Sequence, residues 1–507
     1  MPAAIRSAAI LGIEAYDVTV EVDAVAGLPQ WTIVGLPLGA VRESRERVCA
    51  ALVNSGFTLP PRRITINLAP ADEKKHGTAF DLPIAIGILI ATGQLDPIAA
   101  ERRVFVGELG LDGALRSIRG ALSIARRASA CEVAHELVLP LANVEEAAKV
   151  SSLALSAPAD LATLCAELRD GMLSSARRVS RIDPCRAHDH DFADVVGQET
   201  ARRALEIAAA GGHNLLMIGP PGAGKTMLAR RLPGILPDLT EDESLEVIAI
   251  HSVAGTLTAE SVSSCVRPFR APHHSISSAG LIGGGSTPRP GEVSLAHNGV
   301  LFLDEMLEFP RSVLEGLRQP MEDGRVVISR AAMSVHFPAR FTLVGATNPC
   351  PCGRLGDPTG RCSCPTSAVE RYGRRMSGPL ADRIDMHVAV GAVALTDLNA
   401  PSSAEPTASI RCRVARARAL QARRFDRQRS VSCNAHASGT WIDANGRIVA
   451  SARSLLVSAA GTLSLSARGY HRVLKVARTI ADVDESECVR DSHVAEALRY
   501  RPNISSQ

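Results

Sequence analysis

The feature that most constrains this chain is an eight-residue loop, GPPGAGKT, at residues 219–226. It follows a short apolar segment, 214–218 (NLLMI), and leads into a run of good helix formers that begins near Met227. Glycine-rich loops between a strand and a helix turn backbone N–H groups onto phosphate oxygens, and the helix N-terminus adds the positive end of a dipole. The sequence therefore predicts a nucleotide site on a parallel α/β sheet, where Lys225 reaches the β- and γ-phosphates and Thr226 holds Mg²⁺. The residues expected to contact the nucleotide through this loop are Gly219, Pro220, Pro221, Gly222, Ala223, Gly224, Lys225 and Thr226.

Polar side chains follow two further predicted strands. Residues 299–303 (GVLFL) end in Asp304 and Glu305, and residues 341–346 precede Asn348. Ligands of open α/β sheets bind at the carboxyl ends of strands. Asp304 is therefore placed for the second sphere of Mg²⁺, Glu305 to polarise the attacking water, and Asn348 to hydrogen-bond the γ-phosphate and that water. Without the phosphate loop, the acidic pair would be read as a surface turn and the asparagine as a turn former before proline.

Four cysteines follow the asparagine in two close pairs. They are Cys350 and Cys352, then Cys362 and Cys364, separated by a loop that contains glycine and proline. Four thiols in this order can surround one tetrahedral Zn²⁺. The C-x-C spacing is tighter than the usual C-x-x-C, so reduced structural thiols and a redox disulfide stay open as alternatives.

At 507 residues the chain is long enough for two or three domains. Residues 1–170 alternate strand-like and helical runs, and residues 171–190 lose that periodicity and predict a linker. Strands and helices alternate again over 191–399, which predicts a parallel sheet covered on both faces. A second linker is predicted at 400–410, and 411–507 reads as helical. The strand-like runs of the first domain are 16–22, 63–68 and 104–107.

Charge and hydropathy exclude some classes of protein. The net charge is only +3, from 56 basic and 53 acidic residues, so any basic surface must come from local arrangement. The longest apolar run, 82–91, contains Pro83 and is too short to cross a bilayer, and the N-terminus does not resemble a secretory signal. We expect a soluble, cytoplasmic protein with no membrane partner. The segment 411–429 carries eight arginines, which indicates either a phosphate-binding helix or the exposed face of a packed one.

Several long strings occur together in this chain in a particular order. They are 191–198 (DFADVVGQ), 268–274 (PFRAPHH), 280–285 (GLIGGG), 290–299 (PGEVSLAHNG) and 380–385 (LADRID). With the phosphate loop, they resemble the ComM/YifB branch of the magnesium-chelatase-like AAA+ ATPase family over nearly all of the chain. The resemblance implies an AAA+ ATP hydrolase with ATP and Mg²⁺ as cofactors, and a helical lid after its parallel-sheet core.

The resemblance also implies roles that spacing alone does not assign. Arg383 resembles the arginine finger that reaches a neighbouring subunit's ATP, and Arg468 resembles the second sensor on the lid. Val196 and Gly197 are implied to contact the nucleotide. A finger that acts on a neighbour implies a ring, most simply a homohexamer.

Two insertions typical of the family tend to line the pore of such a ring. The first corresponds to the glycine-rich segment 279–286. The second corresponds to 325–330, which turns back through 333–337 with the alternation of a hairpin. Arg330, near the hairpin tip, is a candidate DNA phosphate contact, with a plain exposed arginine as the equal alternative.

The first domain resembles the Lon-type protease fold through residues 75–83 and 107–120. The catalytic positions differ. Ala79 stands where Lon-type proteases place the nucleophilic serine, and Leu122 where they place the lysine base. A chain without nucleophile and base has no covalent route to peptide cleavage. We expect a catalytically inactive Lon-protease-like domain that serves binding or assembly.

The resemblance favours a motor that acts on branched or single-stranded DNA. The implied activity is branch migration or helicase action in homologous recombination, or in the integration of transforming single-stranded DNA. Three alternatives stand beside it: a magnesium-chelatase-like subunit, a protein-remodelling AAA+ chaperone and a scaffold with a silent nucleotide site. The inactive Lon-like domain and the C-x-C pairs follow the ComM/YifB pattern, and no Asp-x-Ser-x-Ser motif of a chelatase partner occurs in this sequence.

Overall fold

The computed structural model describes residues 2–176, 190–285, 288–330, 333–356, 362–392, 404–428 and 431–501. Its contacts separate two compact units. Unit 1 comprises the described residues of 1–184, 241–264 and 329–337, and unit 2 comprises those of 185–240, 265–328 and 338–507. The chain therefore returns to unit 1 twice after leaving it.

Unit 1 is built on a mixed seven-stranded sheet in the order β3-β4-β2-β1-β5-β8-β9. The strands β1, β2 and β4 pair antiparallel, and the remaining neighbours pair parallel. The expected strands 16–22 and 63–68 lie within β2 and β4, and the expected strand 104–107 overlaps β5, which ends at Phe105. The strands are β1 Ala3–Leu11, β2 Glu14–Ala26, β3 Gln30–Val34, β4 Arg62–Ala69, β5 Arg103–Phe105, β6 Glu108–Leu109, β7 Leu115–Arg116, β8 Glu136–Val138 and β9 Ala154–Ser156. The helices are α1 Ala40–Asn54, α2 Asp81–Ala91, α3 Ala121–Ser129, α4 Val144–Ala147, α5 Leu161–Arg169, α8 Glu241–Ala254 and α9 Ala259–Ser263.

Helix α2 accounts for the longest apolar run of the sequence. Its residues from Asp81 to Leu89 are all buried, because the helix packs on the sheet strands β1 and β2 and on α1. A helix that is apolar on every side belongs in the middle of a core or in a membrane. Within the described part of the chain, no helix is long and apolar enough to cross a membrane.

Helix α8 was not expected in unit 1, since its sequence lies between the two predicted core strands 214–218 and 299–303. Ile248 and Ala249 of α8 form a small buried cluster with Leu122 of α3. The Ser252 hydroxyl accepts a hydrogen bond from Gly120 N at 2.9 Å and donates one to Glu146 Oε2 at 2.5 Å. The position aligned with a protease lysine is thus a fully buried leucine covered by a helix of the same chain.

Unit 2 contains a parallel five-stranded sheet in the order β11-β14-β17-β10-β18, as the sequence predicts. Two short hairpins, β12-β13 and β15-β16, overlap the segments 279–286 and 325–337 that the sequence indicated as insertions, and residues 329–337 of the second hairpin belong to unit 1. The remaining strands are β10 Leu215–Ile218, β11 Phe269–Arg270, β12 Gly283–Gly284, β13 Arg289–Pro290, β14 Val300–Leu303, β15 Arg325–Arg330, β16 Met333–Pro338, β17 Thr342–Thr347 and β18 Met386–Ala389. The helices around the sheet are α6 Glu199–Gly211, α7 Lys225–Ile235, α10 Ser278–Ile282, α11 Glu292–Leu295, α12 Arg311–Gly316, α13 Arg318–Asp323, α14 Thr366–Gly373 and α15 Gly378–Ala381.

The C-terminal region of unit 2 is helical, as expected for a lid. Its first helix, α16, begins at Thr407, inside the segment 400–410 predicted as a linker. Thr407 N and Oγ1 both donate to Asp191 Oδ1, at 2.7 and 2.8 Å, which fixes the start of the helix four residues early. The lid helices are α16 Thr407–Arg424, α17 Gly439–Asn445, α18 Ala450–Thr462, α19 Ala467–Val483 and α20 Asp491–Arg499.

The first predicted linker, 171–190, also starts later than expected. Ser175 forms an isolated bridge with Ser156, and Ala176 N donates to Leu155 O at 2.8 Å. Residues up to Ala176 therefore continue the edge of the unit 1 sheet at β9. The rest of that predicted linker, residues 177–189, lies outside the described residues.

Candidate nucleotide site and cysteine cluster

The phosphate loop, residues 219–226, connects β10 to α7 in unit 2. Gly222 and Gly224 have φ values of 77° and 87°, a left-handed conformation that glycine adopts without strain. At Gly219, an added Cβ would lie 2.1 Å from the backbone oxygen of Val390, so a side chain there would push the loop away from the residue after β18. These three positions require glycine for the loop to close.

Lys225 is the first residue of α7 and is 8% exposed. Its Nζ donates to the backbone oxygens of Gly219 and Pro220 at 2.6 and 2.9 Å, and to Asn348 Oδ1 at 3.2 Å. Burial lowers the pKa of the Lys225 ammonium, and the carboxylates of Asp304 and Glu305 oppose that shift. The lysine is held by neutral oxygens, and phosphate oxygens can replace them.

A carboxylate partner of the loop follows β14, which is separated from β10 by β17 in the sheet. Thr226 Oγ1 donates to Asp304 Oδ2 at 2.6 Å, so the hydroxyl and the carboxylate occupy one spot beside the loop. Hydroxyl and carboxylate oxygens are the donors that Mg²⁺ prefers. Asp304 and Asn348 follow β14 and β17, which flank one another beside β10. The structure therefore brings together Lys225, Thr226, Asp304 and Asn348 at the carboxyl edge of the sheet.

Glu305 has a partner that sequence reasoning missed. Its φ is 49°, a left-handed conformation that is uncommon outside glycine and often marks functional sites. Its carboxylate Oε2 lies 3.6 Å from Nδ1 of His274. The string PFRAPHH could have indicated this contact, because it contains β11, and β11 is the neighbour of β14 in the sheet. Glu305 is 55% exposed at its side chain and remains open to a water molecule.

Val196 and Gly197 lie on the turn before α6, half-buried and exposed respectively. Gly197 has a φ of 65° and Gln198 one of 55°. The Gln198 amide Nε2 donates to Gly391 O at 2.6 Å and to Ala223 O of the phosphate loop at 3.3 Å. Gln198 therefore links this turn to the phosphate loop.

The two candidate arginines, Arg383 and Arg468, both lie near Glu322 of their own chain. Arg383 is 9% exposed; its NH1 donates to Pro379 O at 2.6 Å and its NH2 pairs with Glu322 Oε1. Arg468, in the first turn of α19, is 66% exposed at its side chain and lies 3.9 Å from the same Glu322 oxygen. The structure therefore places both arginines around one carboxylate.

A buried network that the sequence did not indicate supports the segment of Arg383. Asn214, just before β10, donates through its amide to Arg383 O at 3.1 Å and accepts from Leu343 N of β17 at 2.8 Å. Its backbone N–H donates to Asp385 Oδ2 at 3.1 Å. Burial opposes ionisation of Asp385, but His213 and the cations of α19 hold its pKa at about 2. One asparagine thus joins the strand of the phosphate loop, the strand of Asn348 and the candidate finger.

The four cysteines converge as the sequence predicts. Their sulfurs all lie within 4.8 Å of one another, and no other such group of metal-binding side chains occurs among the described residues. Cys350 Sγ lies 3.4 Å from Cys352 Sγ and 3.7 Å from Cys362 Sγ. Zn–S bonds of about 2.3 Å in a tetrahedron give S···S separations of about 3.8 Å, whereas a disulfide requires about 2.0 Å. The arrangement, completed by Cys364, could hold one Zn²⁺ ion.

This cysteine cluster lies against the phosphate loop. Gly353 has a φ of 77°, and a Cβ there would lie 2.6 Å from Pro221 Cδ and 3.7 Å from Asn348 Cγ. Leu355 N donates to Cys350 Sγ at 3.3 Å, which orients that sulfur. The backbone N–H of Arg354, followed by the neighbouring thiols, lowers the pKa of Cys352 to about 6. A thiolate is the form that binds a metal.

The arginine-rich helix α16 uses its charges inside unit 2. Arg413 pairs with Glu206 and Glu405, and Arg424 pairs with Asp482. Its buried positions Ile410, Val414, Ala417 and Gln421 form one stripe. The helix therefore packs as the first lid helix, and these two arginines are already paired with carboxylates. The side chain of Arg330, the candidate DNA contact at the end of β15, lies outside the described residues.

Comparison with known proteins agrees with this geometry. The family model "Magnesium chelatase, subunit ChlI" matches residues 191–398, "Subunit ChlI of Mg-chelatase" matches 20–143, and "Magnesium chelatase, subunit ChlI C-terminal" matches 404–501. The uncharacterized protein YifB of Escherichia coli is 43% identical over 98% of this chain and 96% of its own length. The competence protein ComM of Haemophilus influenzae is 42% identical over 99% of this chain and 98% of its own length.

A more distant similarity covers part of the chain only. Lon protease 2 of Bacillus subtilis is 28% identical over 35% of this chain and 37% of its own length. It accords with the Lon-like fold expected for the first domain. Matches that extend nearly end to end at 43% and 42% identity decide the family. The chain belongs to the ComM/YifB branch of the magnesium-chelatase-like AAA+ ATPase family.

Proposed function

We propose that the protein is an ATP-driven ring motor that acts on DNA, with branch migration or helicase action as its activity. The observation that carries the ATPase part is the assembly of Lys225, Thr226, Asp304 and Asn348 within hydrogen-bond distances at one sheet edge. The DNA part is supported by near full-length similarity to a protein named for competence. We also propose a cytoplasmic location, because recombination and the integration of transforming single strands act on the DNA of the cell.

The proposed chemistry assigns each group one task. Lys225 and the loop amides bind the β- and γ-phosphates, and Thr226 with Asp304 holds Mg²⁺. Glu305 polarises the water, which Asn348 helps to place against the γ-phosphate. Val196 and Gly197 close over the nucleotide. Mg²⁺ neutralises the charge that develops on the transferred phosphoryl group when ATP is bound.

We propose that the protein assembles into a homohexamer, because the arginine roles implied by the family require a neighbouring subunit. Phosphoryl transfer requires a cation for the charge that develops on the γ-phosphate. In the described structure, Arg383 contacts Glu322 and Pro379 of its own chain. We propose that a neighbouring subunit supplies this arginine as the finger, and that Arg468 senses the ATP of its own subunit, the roles that the family resemblance implies.

The DNA activity is tested with a mobile three- or four-way junction. We expect the protein and ATP to convert the junction to its reannealed products whatever its base sequence, because contacts to phosphates carry no base information. Binding should weaken steeply with salt as counterions are released. Arg330→Ala should weaken junction binding and reduce that salt dependence. Junctions that stay unresolved at low salt, with ATP hydrolysis indifferent to every DNA, would contradict the proposal.

Insertion of Mg²⁺ into a tetrapyrrole is the second candidate function, because the matching family models carry the chelatase name. A protein-remodelling chaperone would use the same ATPase core. The candidates are separated by what stimulates ATP hydrolysis: branched DNA, a chelatase partner or an unfolded protein. Stimulation by DNA alone supports the motor.

We also propose one structural Zn²⁺ per chain, held by Cys350, Cys352, Cys362 and Cys364. Loss of zinc is expected to lower ATP hydrolysis, because the loop that carries Cys350 packs on Pro221 and Asn348. Structural zinc contributes on the order of 10 kcal/mol in small modules. Metal analysis should find one equivalent in the reduced protein and less than that in Cys352→Ser.

The control for this zinc prediction is Cys412→Ser, which removes an exposed thiol of α16 outside the cluster. It should keep one equivalent of zinc and normal ATP hydrolysis. Protein purified under reducing conditions with no stoichiometric zinc would contradict the assignment. Zinc loss with unchanged turnover would contradict the link between the cluster and the phosphate loop.

A further inference from the structure

Both arginines proposed to act on ATP converge on one carboxylate, Glu322, near the end of α13. Arg383 NH2 pairs with Glu322 Oε1, and Arg468 NH2 lies 3.9 Å from the same oxygen. Arg383, followed by Arg468 and Arg318, lowers the pKa of Glu322 despite some burial, so the carboxylate is ionised. No sequence motif assigned Glu322 any role.

The guanidinium of Arg383 is engaged within its own chain. Its side chain is 9% exposed at the surface of the chain. NH1 and NH2 are both engaged within the chain, and the buried Nε has no hydrogen-bond partner among the described residues. A guanidinium acting on a neighbour's phosphate must present its N–H groups outward. In the described structure, Arg383 therefore does not present its N–H groups to a neighbouring subunit.

We propose that Glu322 is a positioning residue for Arg383. Its carboxylate pairs with Arg383 and keeps that arginine from the neighbouring subunit's ATP, and Arg468 competes with Arg383 for this carboxylate. This inference rests on the proposed roles of the two arginines. When Arg468 turns to the ATP of its own subunit, Glu322 loses its competing cation and pairs with Arg383 alone. When that ATP is gone, Arg468 returns to Glu322 and the pairing of Arg383 weakens. In a subunit that holds ATP, Arg383 therefore stays paired with Glu322 and does not reach the neighbouring subunit's ATP.

The exchange makes neighbouring sites hydrolyse ATP in alternation. Both arginines compete for one charge, so an interaction that removes Arg468 must strengthen the pair with Arg383. Glu322 itself is 48% exposed at its side chain, which leaves it accessible to either guanidinium. Residues on α13, on the segment before β18 and on α19 are coupled in this way without contact to the phosphate loop.

The first test compares steady-state ATP hydrolysis by the full-length protein and by Glu322→Gln. We expect kcat to rise with KM for ATP unchanged, by up to about tenfold if the released finger is populated at roughly 10%. Glu315→Gln is the matched control, because Glu315 on α12 also pairs with an arginine, Arg318, at 2.9 Å. It should behave as the unsubstituted protein. Glu322→Asp keeps the charge on a shorter side chain, so its kcat should rise less than that of Glu322→Gln.

A fall in kcat of folded Glu322→Gln would overturn the proposal, since the carboxylate would then orient the finger and not withhold it. The rise in kcat must also be absent from the double variant Arg383→Ala/Glu322→Gln. If the gain persisted there, Glu322 would act through another group and the proposal would fail. If Arg383→Ala alone kept full activity, the finger assignment under the proposed function would fail, which is a separate result.

The second test measures the exchange in mixed rings. Glu305→Gln subunits, which hold ATP, are mixed in rising proportion into unsubstituted protein, and ATP hydrolysis is recorded. We expect activity to fall more steeply than in proportion, because each such subunit also withholds its finger. With Glu305→Gln/Glu322→Gln subunits, activity should fall in proportion. If ATP hydrolysis fell equally with added Glu305→Gln subunits and with added Glu305→Gln/Glu322→Gln subunits, the proposed competition of Arg468 and Arg383 for Glu322 would be overturned.

Discussion

Replacement of Glu305 with glutamine is expected to leave ATP binding intact and to stop ATP hydrolysis. The amide keeps the size and hydrogen bonds of the side chain but cannot accept the proton of the attacking water. Removal of a general base costs about 10²- to 10⁴-fold in rate. Turnover of ATP and the dissociation constant for nucleotide, measured on the same preparation, check this expectation. The variant ring should also bind a branched DNA junction and leave it unresolved.

Two further variants make the Glu305 result specific. Glu308→Gln changes a carboxylate three residues away that pairs with Arg375 at 2.8 Å, and hydrolysis should stay unchanged. Lys225→Ala should instead weaken nucleotide binding, because the lysine faces the phosphates. If Glu305→Gln hydrolysed ATP at the unsubstituted rate, a different base would have to act at the end of β14.

Arg383→Ala is expected to abolish ATP hydrolysis while each subunit still binds nucleotide. An arginine finger contributes about 10³- to 10⁵-fold to the rate of phosphoryl transfer. Because Arg383 is proposed to act on the neighbouring subunit's ATP, mixtures of two inactive variants should regain activity. Lys225→Ala subunits supply the finger, and Arg383→Ala subunits supply the nucleotide site. Turnover measured against the mixing ratio should pass through a maximum.

Absence of that maximum, with both variants shown to assemble together, would contradict a site shared between subunits. Arg375→Ala is the matched control, since Arg375 is an exposed arginine of the same region that pairs with Glu308. It should hydrolyse ATP normally. Full activity of Arg383→Ala would show that the finger is another residue.

Local patterns of the sequence predicted the sheet of unit 2 and the groups at its edge. A strand followed by a glycine-rich loop and a helix has few conformations, so Lys225 and Thr226 could be placed from spacing alone. Asp304 and Asn348 followed from the rule that parallel strands present their carboxyl ends together. The cysteine cluster was predicted because four thiols in two close pairs need only a short loop to meet.

The partners of these groups could not be predicted in the same way. His274 meets Glu305, and Asn214 meets Asp385, only because strands distant in sequence are neighbours in the sheet. Glu322 carries no motif, and its role depends on where two arginines from other elements lie. Helix α8 was also misplaced by sequence order, since its apolar residues face α3 and not the sheet that flanks it in the sequence.

The double return of the chain to unit 1 has a consequence for truncated versions of this protein. Cutting near residue 190 looks natural from the sequence, yet a fragment that starts there keeps α8 and loses α3. Ile248 and Ala249 would then face water without Leu122, and Ser252 would lose both Gly120 and Glu146. Such a fragment would expose an adhesive apolar surface and is expected to aggregate. Covering α8 is therefore a structural task of the first domain, and this task does not depend on a catalytic nucleophile.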